Sequence, residues 1–158
     1  MSAPLSRWYS LHDLQSLAAR QAELAGKLPL SGLSRLEGLL AEDAGDVEAS
    51  LKFRRDSGGW LTVRLDMRAA PRLTCQRCLE PFTYEIDEHV MLALLESAAL
   101  ESSLPQGYEP IVVGGDRVQP AQLIEDELIV ALPLVPKHAQ VAECGTLGRG
   151  LESDAAPL

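Results

Sequence analysis

The residues of this 158-residue chain that could do chemistry together are Cys75 and Cys78, spaced C-x-x-C, then His138 and Cys144 near the far end. Two thiolates at that spacing can share one tetrahedral metal ion, because a tight turn brings both sulfurs to one side. His138 and Cys144 would complete a Cys₃His set if the segment after Pro136 folds back over the loop. Against this, the second half is not a compact ligand pair, and CQRCL lacks the glycine that zinc knuckles often carry. A redox pair would need Cys75 at a helix N-terminus, where the dipole lowers the thiol pKa. Pro81 and strand-like alternation follow instead. The plainest reading is two reduced, half-buried cysteines in a strand-to-strand turn. Structural zinc is the candidate cofactor.

A second oddity is an acid on an apolar helix face. Setting Leu123 at zero and advancing about 100° per residue, Leu123, Ile124, Leu128, Val130 and Ala131 form an apolar arc, and Glu127 falls about 40° from its origin, inside it. Glu125 and Asp126 lie outside the arc. A carboxylate on a buried face must be paired or protonated. Arg77, between the two cysteines, is the expected partner. No nucleophile elbow, phosphate-binding loop, dinucleotide fingerprint or H-E-x-x-H motif occurs, and His12, His89 and His138 stand far apart. Nothing here supports an enzyme.

The elements that must position these residues follow from periodicity. Leu11 to Leu24 reads as a helix capped by Ser10, and Leu33 to Glu42 as a second, weakened by Gly38. From Asp46 the period changes to two, through Val47, Leu51 and Phe53 and again through Leu61, Val63 and Leu65, which predicts a hairpin with one apolar face. Phe82 to Leu94 reads as one long strand bent near Glu88, the polar exception in its alternation. Ile111 to Val113 is a brief strand, and Pro120 opens a helix that the prolines at 133 and 136 end. The expected fold is α+β: an antiparallel sheet of three to five strands with two N-terminal helices and one C-terminal helix packed on it. Residues 1–144 form one domain, and residues 145–158 a disordered tail.

Charge separates the halves. The first 68 residues balance nine basic side chains against nine acidic ones; the remainder holds five against fourteen, so all of the net charge of −9 is C-terminal. An acidic surface is repelled by bare phosphate backbones and suits a basic protein partner better. The even positions of the hairpin nevertheless carry Lys52, Arg54, Trp60, Arg64 and Arg68, a stripe that could contact single-stranded RNA by phosphate pairing and base stacking. Glu48 and Asp66 share that face. The N-terminal stretch has no apolar core of the secretory kind and no run approaches the roughly 20 apolar residues of a membrane span, so a reduced cytoplasmic setting is expected.

In order, LTCQRCLEPF, YEPIVV, EDELIVALPLVPKH and Cys144 resemble the YceD family, the bacterial large ribosomal RNA subunit accumulation proteins, over roughly Gly32 to Cys144. The resemblance implies a cytoplasmic factor needed for synthesis, processing or stability of large-subunit ribosomal RNA, with no established enzymatic chemistry. By position, the family's recurrent residues are Cys75, Arg77, Cys78, Glu125, Glu127, Pro133, Pro136 and Cys144. Some relatives carry cysteine at the position of His138, which fits a ligand swap, and others lack part of the set. The expectation is a non-catalytic ribosome-biogenesis factor that binds RNA and/or ribosomal protein. Its partners would be the pre-ribosomal large subunit, ribosomal RNA or a basic ribosomal protein, with no membrane involved. The competing class is a metal- or thiol-dependent RNA-processing enzyme.

Overall fold

The computed structural model describes residues 3–115 and 117–144; the expected tail, 145–158, lies outside them. A four-residue helix α1 (Ala3–Ser6) precedes α2 (Leu11–Ala19). The Ser10 hydroxyl accepts the Asp13 N–H while the Asp13 carboxylate accepts the Ser10 N–H, a reciprocal cap that satisfies two donors at the start of α2. Leu14, Leu17 and Ala18 are the buried side of that helix. It stops earlier than the leucine spacing predicted: Gln21 takes a positive φ of 51°, and Leu24 belongs to strand β1 (Glu23–Pro29).

The predicted second helix over Leu33 to Glu42 is absent. In its place are 3₁₀ turns at Leu30–Gly32 and Ser34–Leu36 and then a loop. Gly38 takes a φ of 85° that a helix would not allow, and a glycine in a helix interior costs about 1 kcal/mol relative to alanine. Leu33 and Leu36 reach the core all the same.

The hairpin of β2 (Asp46–Arg55) and β3 (Leu61–Ala69) is as its alternation predicted, with Val47, Leu51, Phe53, Val63 and Leu65 all buried on one face. Asp56 builds its turn, its Oδ1 accepting the N–H groups of Gly58 and Trp60, each at 2.9 Å. The Asp56 Oδ2 receives the Tyr108 hydroxyl at 2.8 Å, which ties the start of the YEPIVV stretch to the hairpin tip.

The long strand expected over Phe82 to Leu94 is two pieces. Strands β4 (Arg72–Thr74) and β5 (Pro81–Thr83) pair with each other in a small separate ladder, and β6 (Ile86–Leu95) joins the main sheet beside β3. Strand β7 (Glu109–Val112) runs parallel to β6. The main sheet is therefore mixed, in the order β1-β2-β3-β6-β7, where an all-antiparallel one was expected. Helix α3 (Pro120–Ala131) starts on its proline. The core lies between the inner face of the sheet and the helices. A second, smaller buried cluster holds only Cys75, Cys78 and Cys144, with Phe82 against it. Among the described residues no helix is long and apolar enough to cross a membrane.

Candidate metal centre

The β4–β5 ladder sets Leu73 opposite Phe82 and leaves Cys75 to Glu80 as the connecting turn. That turn is closed by the Cys75 N–H on the Glu80 carbonyl at 2.9 Å and the Leu79 N–H on the Cys75 carbonyl at 2.7 Å. Closing it requires a left-handed residue, and Leu79 supplies it with a φ of 63°. The glycine missing from the sequence motif is thus replaced by a leucine in the same conformation. Its side chain points away into solvent, 68% exposed.

Beyond α3 the chain doubles back. The Gln76 N–H donates to the Pro136 carbonyl at 2.8 Å, and the Arg77 guanidinium donates to the His138 carbonyl. The Pro133–Pro136 segment ends the helix and steers the hook onto the cysteine turn. A 3₁₀ turn, Val141–Cys144, then delivers Cys144, and the His138 ring lies 4.9 Å from the ring of Phe82.

The result is one cluster: the ligand atoms of Cys75, Cys78, His138 and Cys144 all lie within 4.8 Å of one another. The Cys75 and Cys144 sulfurs are 3.7 Å apart, and His138 Nδ1 is 3.6 Å from the Cys78 sulfur and 3.4 Å from that of Cys144. A tetrahedral zinc with Zn–S near 2.3 Å and Zn–N near 2.0–2.1 Å has S–S edges of about 3.8 Å and S–N edges of about 3.6 Å. The donor set therefore fits a tetrahedral ion in kind and spacing. The cysteines are free thiols, all three buried.

Electrostatics agree. Burial works against ionising Cys75, but the backbone N–H groups of Cys78, His138 and Arg77, together with the His138 side chain, outweigh it and bring the thiol down to about 5. The His138 N–H lies 3.4 Å from that sulfur. Cys144 moves the other way, pushed up to about 11 by burial and by the neighbouring Cys78 and Cys75. Lowering the Cys75 thiol favours the thiolate form that ligates metal, and a bound cation would favour deprotonation of the neighbouring thiols as well.

The acids fall differently from expectation. Arg77 does not hold Glu127; it reaches the His138 carbonyl, and among the described residues no ion pair joins the two. The buried acid of α3 is Glu125, 7% exposed, whose partner is Arg35. Val130 misled the helical projection: it is 74% exposed, so the buried arc centres near Ile124 and Leu128 and takes in Glu125 at its edge. Glu127 is half-buried, and burial together with the nearby Glu109 carboxylate raises its pKa.

The basic stripe lies on the outer face of the hairpin, with Lys52 in register with Arg64 and Arg68 in register with Glu48. Arg64 pairs with Asp66 at 3.1 Å and Arg68 with Asp87 at 3.5 Å. Arg54 is half-buried and donates to the Phe53 carbonyl, and Trp60 sits at the turn.

A family model described as large ribosomal RNA subunit accumulation protein YceD matches residues 63–155, which include all four cluster residues. The chain belongs to the YceD family. A curated YceD protein from Haemophilus influenzae, named for large ribosomal RNA subunit accumulation, is 28% identical over 123 residues, covering 77% of this chain and 71% of the relative. No solved structure matches. The YceD match takes in β6, β7, α3 and the hook but begins within β3, so β1 and β2 lie before it.

Proposed function

We propose that this YceD-family chain supports the accumulation of large-subunit ribosomal RNA as a non-catalytic binding factor of the cytoplasm, with a structural zinc tying its hook to the cysteine turn. The relative's name supplies the process, and the four-donor cluster carries the reading of the site. A catalytic zinc keeps a position open for water or substrate, whereas three thiolates and an imidazole fill all four. Bound there, zinc would supply a crosslink. The chain's own residues shape the site: the Cys75–Glu80 turn presents two sulfurs, the Val141–Cys144 turn a third, and Phe82 packs against the imidazole.

Direct binding would be to protein more than to bare RNA. The C-terminal half is acidic, and two arginines of the outer stripe are already paired with carboxylates. A basic ribosomal protein on the pre-ribosomal large subunit is the partner class that fits.

The test is complementation of cells lacking the gene, scored as the ratio of large- to small-subunit ribosomal RNA. Wild type should restore the ratio and Cys144→Ser should not, at equal protein levels. Full restoration by a zinc-free variant would separate the cluster from the function. Multiple-turnover cleavage of a precursor RNA by the purified protein would instead support a metal- or thiol-dependent RNA-processing enzyme.

A further inference from the structure

Two residues that broke the sequence patterns, Glu88 in its strand and Glu127 on its helix, meet in the fold. Both line a cleft of about 360 Å³ between the inner face of the sheet and α3, at the small end of the range for ligand pockets. Leu65, Met67 and Val90 form its apolar floor, and Val130 and Ala131 its wall. Glu88 lies in register with Met67, and Glu109 with Leu92, so both carboxylates come from positions whose neighbours face the core. Among the described residues no ion pair compensates Glu88, Glu109 or Glu127.

We propose that this cleft receives a long cationic side chain, arginine or lysine, from a basic segment of a partner protein. The proposal rests on the reading above that the partner is a basic protein, and it names the surface that reads it. An aliphatic stem ending in a cation needs apolar walls along its length and carboxylates at its head. The cleft offers both. Glu127 and Glu109 line the same cleft, and burial together with the Glu109 carboxylate disfavours the ionised form of Glu127, so an incoming guanidinium would relieve the repulsion between like charges. Val130, left 74% exposed at the cleft wall, would gain cover from the residues flanking the cation.

The experiment is an NMR titration of the full zinc-loaded chain with acetyl-Gly-Val-Arg-Val-Gly-amide and with the same peptide carrying neutral citrulline in place of arginine. The arginine peptide should shift resonances of Met67, Val90, Glu127 and Val130, and the citrulline peptide should bind at least tenfold more weakly. Glu109→Gln with Glu127→Gln should lose at least tenfold in affinity for the arginine peptide. No binding, equal affinity of the two peptides, or shifts spread evenly over the acidic half would each overturn the proposal. Should the double variant fold poorly, the citrulline comparison on wild type decides alone. If the cleft fails while Cys144→Ser still lowers ribosomal RNA, only the cleft is refuted; a silent Cys144→Ser with a binding cleft refutes the role assigned to the cluster.

Discussion

Glu125 holds Arg35 twice, its Oε2 accepting the backbone N–H at 2.8 Å and its Oε1 the side-chain Nε at 3.1 Å. The contact joins segments ninety residues apart and pins the turn that replaced the expected helix against α3. Arg35 also pairs with the exposed Asp126.

Glu125→Ala should destabilise the fold by about 1–3 kcal/mol, because it strips a buried acceptor from a backbone donor. Asp126→Ala, which removes a half-exposed partner of the same arginine, should cost less than about 1 kcal/mol. Urea unfolding midpoints measure both. Equal costs would mean that the backbone contact is not the stabilising one.

Protein purified from zinc-containing medium should carry one equivalent of metal by elemental analysis. Serine at Cys75, Cys78 or Cys144 should abolish stoichiometric retention, whereas His138→Cys should keep it, since thiolate suits the same tetrahedral position. Chelation should lower the melting temperature of wild type and leave the serine variants unmoved.

Leu79→Gly should stabilise the protein by about 1 kcal/mol, measured by thermal unfolding. The left-handed backbone penalises a leucine and not a glycine, and a mostly exposed side chain forfeits little packing. A loss of stability would show that the leucine makes contacts outweighing its strain.

Burial, followed by the hydrogen bond and charge of Glu109 and by the charge of Asp126, raises Glu127 to about 8. Between its ordinary carboxylate range and that value the native state holds a proton that the unfolded chain has lost, so this group's contribution to stability is lost as pH rises towards 8. Glu127→Gln should remove that slope and stabilise the protein above pH 8, by on the order of 1 kcal/mol once solvent screening of this half-exposed group is allowed for. Unfolding curves at several pH values test it; an unchanged slope would mean that Glu127 ionises normally.

Substituting Arg54, Arg64 and Arg68 with serine should leave association with ribosomal RNA within about twofold of wild type, read by filter binding across a salt series. Arg64 and Arg68 already spend their charge on Asp66 and Asp87. A steep loss of affinity, with a shallower salt slope, would make the outer face an RNA surface.

Much of this architecture could be read from local pattern. Period two revealed the β2–β3 hairpin through Val47, Leu51 and Phe53, and Pro120 marked the start of α3. Strand β1 was hidden because Gly26 and Pro29 lack strand propensity, and the first residues of β7, expected over Ile111 to Val113, were hidden because Glu109 and Pro110 show no alternation. Both are held by pairing with a neighbour, which periodicity does not encode. At the metal centre the donor identities were visible, while their convergence was not, since it depends on hydrogen bonds from Gln76 and Arg77 to residues some sixty positions away. The acid that mattered for packing was missed because one exposed valine was counted as core.

The separation of Cys78 from Cys144 bears on how the protein is born. Ribosomes deliver chains N-terminal end first, at about 5–20 residues per second. The first pair of thiols therefore waits several seconds for the histidine and cysteine that complete its company. Until then an emerging chain offers only a loose, exchangeable grip on metal, and the final lock is turned by nearly the last of the residues described.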